Sequence, residues 1–495
     1  MKKTLLSGLF WVLFANLLVK PFWILGIEVD VQNAVDAEMY GLYFTVFNIT
    51  YIFNILLDLG ITNFNTRNIA QHPHLITKHL SGILTVKLLL LVLYAVVTFS
   101  AGALMGYDSL QFRLLAWLSL NQFLSSLILY LRSNFEGLML FKWDSLLSVM
   151  DRLLMIIICG SMLWCPSLLD GNGFTIFHFV YAQTAAYIVT AILATTVLVR
   201  KTGLRRLRFD KLFSLAILRQ SLPFALLVLL MASYNRIDPV LLQKLSPAGT
   251  GNYNAGIYAG AFRLIDALTM VSYIVSVPLL PIFSRLTKKG APTSDSGELR
   301  EVVRMMTGIM TVFSVTVACA LASTSDDIMA LFYNDHVTDY SSVLRIVVFC
   351  IIPVSMTYVF GTLMTAAGKL KMLNIFAASS LLLNIAVNLF CIPRWGAQGS
   401  AIAGLTAQSF MALAQIIAAI VLFKLQLSWK YILKILLFTL SVIVCVYLCA
   451  QTVWWVNLMI TALVATTSAF MLKLIDLREI ISTLTTKETT NNEEK

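Results

Sequence analysis

Three cations stand inside runs of apolar residues long enough to cross a bilayer: Lys20, Arg236 and Arg263. An ionisable side chain at bilayer depth is costly, so such residues face a cavity or a partner. Counted at 1.5 Å per residue from the inner ends of their spans, each lies roughly 22–24 Å from the inner face. The three therefore share a depth in the outer half of the membrane. A ring of positive charge there can bind phosphate oxygens, and arginine adds a planar fork that engages two of them at once. Nearby carboxylates compete for the same cations. Arg263 and Asp266, three apart on a helix, can pair. Arg236 and Asp238, two apart, point to different faces, which makes Arg236 the strongest single candidate for an external anion. Lys20 can instead snorkel to the outer headgroups. Asp238 and Asp266 are also carboxyls that can change charge in a dry site, as ion coupling requires. Asp58, near the inner end of the second apolar run, is placed either to gate an inner opening or to cap a helix. Lys87, Asp151 and Arg152 read as pairing or snorkelling groups near inner helix ends.

The elements that carry these residues are transmembrane helices. Apolar residues make up 59% of the 495-residue chain and charged residues 12%, whereas soluble domains run near half and a quarter. About 20 apolar residues span the hydrocarbon as a helix. Such runs fall near 4–26, 39–59, 80–105, 110–131, 145–166, 174–199, 220–244, 253–283, 302–324, 341–366, 370–392, 397–423, 429–450 and 453–475. The reading is an all-α integral membrane protein of about fourteen helices. Barrel strands would alternate apolar and polar residues, and these runs are apolar all round. The first run imitates a secretory signal, but it has no small-x-small cleavage site and is interrupted by Lys20-Pro21, so it reads as a retained helix.

Charge sets the orientation. With both termini inside, about 27 of the 36 Lys and Arg fall on inner loops, and only Arg113, Lys244, Arg345 and Arg394 fall outside. Outer loops carry acids, among them Glu28, Asp30, Asp108, Asp326 and Asp339. This positive-inside bias accounts for the net charge of +11. It therefore points to topology and anionic lipid rather than to nucleic acid. The seven cysteines form no CxxC and mostly sit in apolar helices, so neither a disulfide framework nor a zinc site is expected. His72, His74 and His79 cluster on an inner loop with no nearby Cys. No Walker A motif is present, and no metal or cofactor is expected.

Motifs recur between the halves. Tyr40-Gly41-Leu42-Tyr43 at the second span matches Ala255-Gly256-Ile257-Tyr258 at the eighth. Gly137 before the fifth matches Gly368 before the eleventh, and Gly171-Asn172-Gly173 before the sixth matches Gly396-Ala397-Gln398-Gly399 before the twelfth. The offsets, about 215, 231 and 226 residues, suggest parallel repeats of the kind that place a substrate site between halves. The expected organisation is an N-lobe over 1–199, a basic cytoplasmic linker over 200–219 and a C-lobe over 220–424. Two extra helices over 425–475 and a polar cytoplasmic tail over 476–495 complete it.

These segments carry a family resemblance. Tyr40-Gly41-Leu42-Tyr43 is followed by Leu57-Asp58-Leu59-Gly60-Ile61. Phe135-Glu136-Gly137 precedes the fifth span. Ser221-Leu222-Pro223-Phe224 leads to Asn235-Arg236-Ile237-Asp238, and Gly256-Ile257-Tyr258 to Phe262-Arg263-Leu264. Asn388-Leu389 is followed by Ile392-Pro393-Arg394-Trp395-Gly396-Ala397 and Gly399-Ser400-Ala401. In order and spacing, over roughly residues 5–425, the chain resembles the Wzx-type O-antigen and exopolysaccharide flippases of the multidrug/oligosaccharidyl-lipid/polysaccharide (MOP) exporter superfamily. The resemblance implies two lobes around a central cavity and alternating access. It also implies export of undecaprenyl-pyrophosphate-linked sugar units from the cytoplasmic to the outer face of a bacterial cytoplasmic membrane. Arg236, Arg263 and Lys20 would then bind the pyrophosphate with its sugars. Membrane lipids, and a polysaccharide polymerase with its chain-length machinery, would be partners. Two relatives compete: a multidrug exporter, which would present acids and aromatics to a cationic drug, and a lipid II flippase. A membrane glycosyltransferase or polymerase would need a sizeable outer domain with acid-base groups, and the outer loops here are short.

Overall fold

A computed structural model describes residues 19–62, 65, 66, 69, 76–169, 173–202, 226, 228–287, 296–425 and 428–474. The span over 4–26, the linker over 200–219, the start of the seventh span, His72, His74 and the tail therefore lie wholly or largely outside the described residues. Regular structure among the described residues is entirely helical, and eleven helices are long and apolar enough to cross a membrane.

In chain order, α1 covers 19–35, with a π-helical turn over Trp23–Ile27 and an α-helix over Glu28–Val35. The next helices are α2 (Ala37–Ile52), α3 (Ile76–Leu104), α4 (Ser109–Gly137), α5 (Phe141–Trp164) and α6 (Ile176–Thr202). They are followed by α7 (Asp238–Leu245), α8 (Gly251–Ser276), α9 (Leu279–Thr287), α10 (Ser296–Ser323) and α11 (Ser325–Phe332). The chain continues through α12 (Val337–Val347), α13 (Ile351–Ala366), α14 (Leu370–Phe423), α15 (Trp429–Leu448) and α16 (Trp454–Met471).

Several boundaries differ from the sequence expectation, each for a local reason. α1 runs past residue 26 because Val29, Val31, Gln32 and Val35 are buried; Glu28 is thus part of a helix and not of an outer loop. The span expected over 253–283 breaks at Pro278, which has no N–H to donate. A 3-10 turn over Val348–Cys350 joins α12 to α13 ahead of Pro353. α14 is 54 residues long, with non-helical backbone at Gly396 (φ 52°, ψ −126°). An unbroken helix of that length would be roughly 80 Å long, more than twice the hydrocarbon thickness. The break, three residues after Pro393, falls between the expected spans 370–392 and 397–423.

The chain packs into two compact units. The first is drawn from Met1–Ala267, Phe332–Tyr340 and Ala377–Gly404, the second from Leu268–Leu331, Ser341–Phe376 and Leu405–Lys495. The core of the first joins Trp23, Ile27 and Val31 of α1 to Tyr43 and Val46 of α2, Leu114 and Leu118 of α4, and Phe179 of α6. In the second, Phe283, Met310, Phe360 and Leu363 pack with Ala412 and Ala419. There α15 and α16 join α10 through Val315, Phe438, Val442, Ala465 and Ala469. Small residues at these seams fit helices in lipid, where close van der Waals packing replaces the hydrophobic drive.

Candidate functional site

Lys20, Arg236 and Arg263 all lie in the first unit. Arg236, two residues before the start of α7, forks onto Asp266 of α8, with Nη1 and Nη2 donating to the two carboxylate oxygens at 3.0 and 3.2 Å. Its guanidinium lies over the rings of Tyr51 and Phe262 at 5.5 and 5.6 Å. Arg263, the thirteenth of the 26 residues of α8, points elsewhere. Its Nε sits 3.4 Å from Glu28 Oε2, its Nη1 donates to the Tyr333 hydroxyl at 2.6 Å, and its guanidinium stacks 4.8 Å over Tyr40. Arg263 Nη2 finds no acceptor in hydrogen-bonding geometry among the described residues. Arg236 is 23% exposed and Arg263 only 4%, so Arg236 is the more accessible of the two.

Glu28 links these cations to the rest. It accepts from Trp23 Nε1 at 2.7 Å and lies within Coulombic reach of Arg263, Arg152 and Asp266. Arg152 is the twelfth of the 24 residues of α5, mid-helix rather than near an inner end. It stacks 5.7 Å over Trp23 and lies 4.0 Å from Asp151. Lys20 feels Arg152, Asp151 and Arg132 as its charged neighbours. The result is a belt of four cations (Lys20, Arg152, Arg236, Arg263) and three carboxylates (Asp151, Glu28, Asp266) within the first unit. An unmatched positive charge is expensive in a low-dielectric setting and favours an incoming anion.

Asp238 is separate from the belt. The helical stretch over 228–236 breaks at Ile237, because Pro239 cannot donate into the preceding turn. The break turns Asp238 inward, 3% exposed, where it accepts from Asn384 Nδ2 at 3.0 Å, Asn388 Nδ2 at 2.8 Å and the Tyr258 hydroxyl at 3.0 Å. Gly404 leaves it room: a Cβ there would lie 3.2 Å from Asp238 Oδ2. No cation pairs with it among the described residues, and Asn388 Oδ1 is buried without a donor. The amides turn their Nδ2 donors to the carboxylate, which, buried without a cation, is a group that can take up a proton. No group of three or more His, Cys, Asp or Glu suited to a metal occurs among the described residues.

Asp58 is tied into the fold by Lys87, 1% exposed. Lys87 Nζ donates to Asp58 Oδ1 at 3.2 Å, Leu57 O at 3.0 Å and Ser126 Oγ at 2.9 Å, and the Thr62 hydroxyl also donates to Asp58. Sequence reasoning missed Glu28, Arg152, Asn384 and Asn388 as members of these networks. The i, i+4 spacing of Asn384 and Asn388 in an apolar helix was a usable signal. Nothing in the spacing brought Glu28 to Arg263, 235 positions away in the numbering of the chain.

The fold is similar to the lipid II flippase MurJ in an inward-closed conformation, with 15% identity over 96% of this chain and 100% of that one and a TM-score of 0.66. It is also similar to an inward-facing multidrug resistance MATE family transporter of the MOP superfamily, with 15% identity, 84% and 94% coverage and a TM-score of 0.63. A MOP superfamily transporter from Pyrococcus furiosus, distinguished by the reverse polarity of its binding pocket, aligns at 14% identity, 83% and 94% coverage and a TM-score of 0.56. No curated protein sequence matches significantly. Residues 5–287, more than half of the chain, match the family described as polysaccharide biosynthesis protein, and this multi-pass membrane protein belongs to that family.

Proposed function

We propose that the protein is a flippase carrying undecaprenyl-pyrophosphate-linked oligosaccharide units from the cytoplasmic to the outer face of the cytoplasmic membrane, for surface polysaccharide biosynthesis. The excess of cations over carboxylates in the half-buried belt carries this reading: a pyrophosphate supplies the missing negative charge. A cationic drug would meet an excess of its own charge. Arg236 makes first contact, trading its fork on Asp266 for phosphate oxygens. Arg263 offers its unused Nη2, and Lys20 supports from the Arg152 end. Asp238 is assigned to coupling through proton or cation uptake, and Asp58 to gating through its tie to Lys87. Transport proceeds by alternating access of lobes 1–199 and 220–424, without catalysis by this chain. A polymerase and chain-length machinery take the product at the outer face.

The test is deletion of the gene followed by mass analysis of lipid-linked intermediates. Accumulation of an undecaprenyl-pyrophosphate oligosaccharide with loss of surface polysaccharide is expected. Accumulation of lipid II instead would change the substrate, and an unaltered lipid-linked pool would refute the reading.

A further inference from the structure

The second unit holds a basic pocket that the belt does not use. It lies where α10 begins, α15 begins and α16 ends, on the face that the positive-inside count assigns to the cytoplasm. Arg300 and Arg304, one turn apart on α10, line it with Lys434 of α15 and Lys473 just past α16, against one carboxylate among the described lining residues, Glu301. The cavity measures about 360 Å³. A second, apolar cleft adjoins it, sharing Arg300, Arg304 and Tyr431 and running on between Val303, Phe360, Ile416 and Ile420.

This arrangement is built into the fold. The Tyr431 hydroxyl donates to Arg304 O at 2.9 Å, and the Arg304 guanidinium lies 5.0 Å over the Tyr431 ring, which holds the arginine at the junction of mouth and cleft. Gly308 lets the chain beyond α16 close down on α10, since a Cβ there would lie 2.6 Å from Leu474 O. That close approach, with Lys473 in left-handed backbone at φ 51°, brings Lys473 to the pocket rim. Thr307 Oγ1 lines the cleft, buried and without a hydrogen-bond partner among the described residues. A charged mouth opening into an apolar slot matches an amphiphile with an anionic head. Basic pockets between helices on the cytoplasmic side are suited to lipid phosphate.

We propose that the pocket of Arg300, Arg304, Lys434 and Lys473 binds the phosphate of an anionic inner-leaflet phospholipid, one acyl chain of which lies in the Val303–Phe360–Ile416 cleft. The bound lipid staples α15 and α16 to α10.

Native mass spectrometry of the full-length protein in non-ionic detergent tests this, with phosphatidylglycerol and phosphatidylcholine as probes. The wild type should retain one phosphatidylglycerol in preference to phosphatidylcholine. Lys434→Gln with Lys473→Gln should weaken retention about twenty-five-fold, each cation counting for about fivefold. Lys434→Arg with Lys473→Arg should preserve it, which separates loss of charge from loss of fold. Equal retention of the two lipids, unchanged retention in the glutamine double variant, or displacement by inorganic phosphate at equal concentration would each overturn the proposal.

Discussion

Gly41 of α2 and Gly256 of α8 meet at a helix crossing so close that neither position admits a side chain. A Cβ on Gly41 would lie 1.8 Å from Asn252 O, and one on Gly256 would lie 1.8 Å from Ala37 O. Each glycine thus faces the carbonyl four residues before the other, the reciprocity of a local two-fold axis. These are the glycines of the two matching motifs, Tyr40-Gly41-Leu42-Tyr43 and Ala255-Gly256-Ile257-Tyr258. Gln32 of α1 adds a hydrogen bond to Gly256 O at 2.9 Å. Gly41→Ala and Gly256→Ala should each destabilise the protein by about 3 kcal/mol or more, the upper range for overpacking, because the clash is with backbone. Melting of the purified variants checks it, and unchanged midpoints would refute the close crossing. Superposing 1–199 on 220–424 tests the repeat independently, since α2 must then fall on α8.

Arg236 should be indispensable for export even though its charge is matched in the resting protein. Arg236→Ala is expected to lower surface polysaccharide in a flippase-null strain about tenfold to hundredfold, the range for losing one charge-assisted contact of about 1.5–3 kcal/mol. Arg236→Lys should retain part of the activity, keeping charge and losing the fork. Asp266→Asn removes the competitor and should not mimic Arg236→Ala. Full export by Arg236→Ala at normal protein abundance would remove the residue from the site.

The Glu28–Arg263 pair should behave as a buried ion pair. Glu28→Gln strands the Arg263 charge and should cost about 3–5 kcal/mol of stability. The double change Glu28→Gln, Arg263→Gln should recover much of that loss, because no uncompensated charge remains. Export should stay low in the double variant if Arg263 serves the substrate. Equal melting of wild type and Glu28→Gln in detergent would argue against the pairing.

Asp238 should be dispensable for folding and required for transport. Asp238→Asn keeps the Oδ1 acceptor that Asn384 and Asn388 use, turns the oxygen facing the Tyr258 hydroxyl into an amide donor that the hydroxyl can accept from, and removes the charge that a proton or cation would neutralise. We expect normal abundance with export reduced to background. Reconstituted vesicles provide the sharper measurement: wild-type transport should depend on an imposed ion gradient, and residual transport by Asp238→Asn should not. Gradient-dependent transport by the variant would exclude Asp238 from coupling.

Both termini should be cytoplasmic. A periplasm-active reporter fused after Lys495 is expected to be silent, and the same reporter in the loop around Asp108 to be active. A strong signal at the C-terminal fusion would invert the topology or change the helix count by one.

The sequence alone determined that this is a helical membrane protein, because the length and apolarity of a span are local properties and the hydrocarbon leaves the backbone no other way to satisfy itself. It also singled out Lys20, Arg236 and Arg263, because a charge in an apolar run is conspicuous without any knowledge of its neighbours. Partners were not legible. The i, i+3 spacing pointed Asp266 at Arg263, yet the fork on Asp266 comes from Arg236, and Arg263 is met by Glu28, a residue whose place at the end of an apolar run resembled an outer loop. Arg152 resembled an inner-end charge until α5 proved to begin at Phe141. Asp238 read as a weak neighbour for Arg236, and the break before Pro239 delivers it instead to Asn384 and Asn388. For the paired groups the deciding distance lies between different helices, from 30 residues apart for Arg236 and Asp266 to 235 for Glu28 and Arg263. Helix-to-helix rotation and register are set by packing of many small contacts, such as Gly41 on Gly256, and one-dimensional spacing carries no record of them.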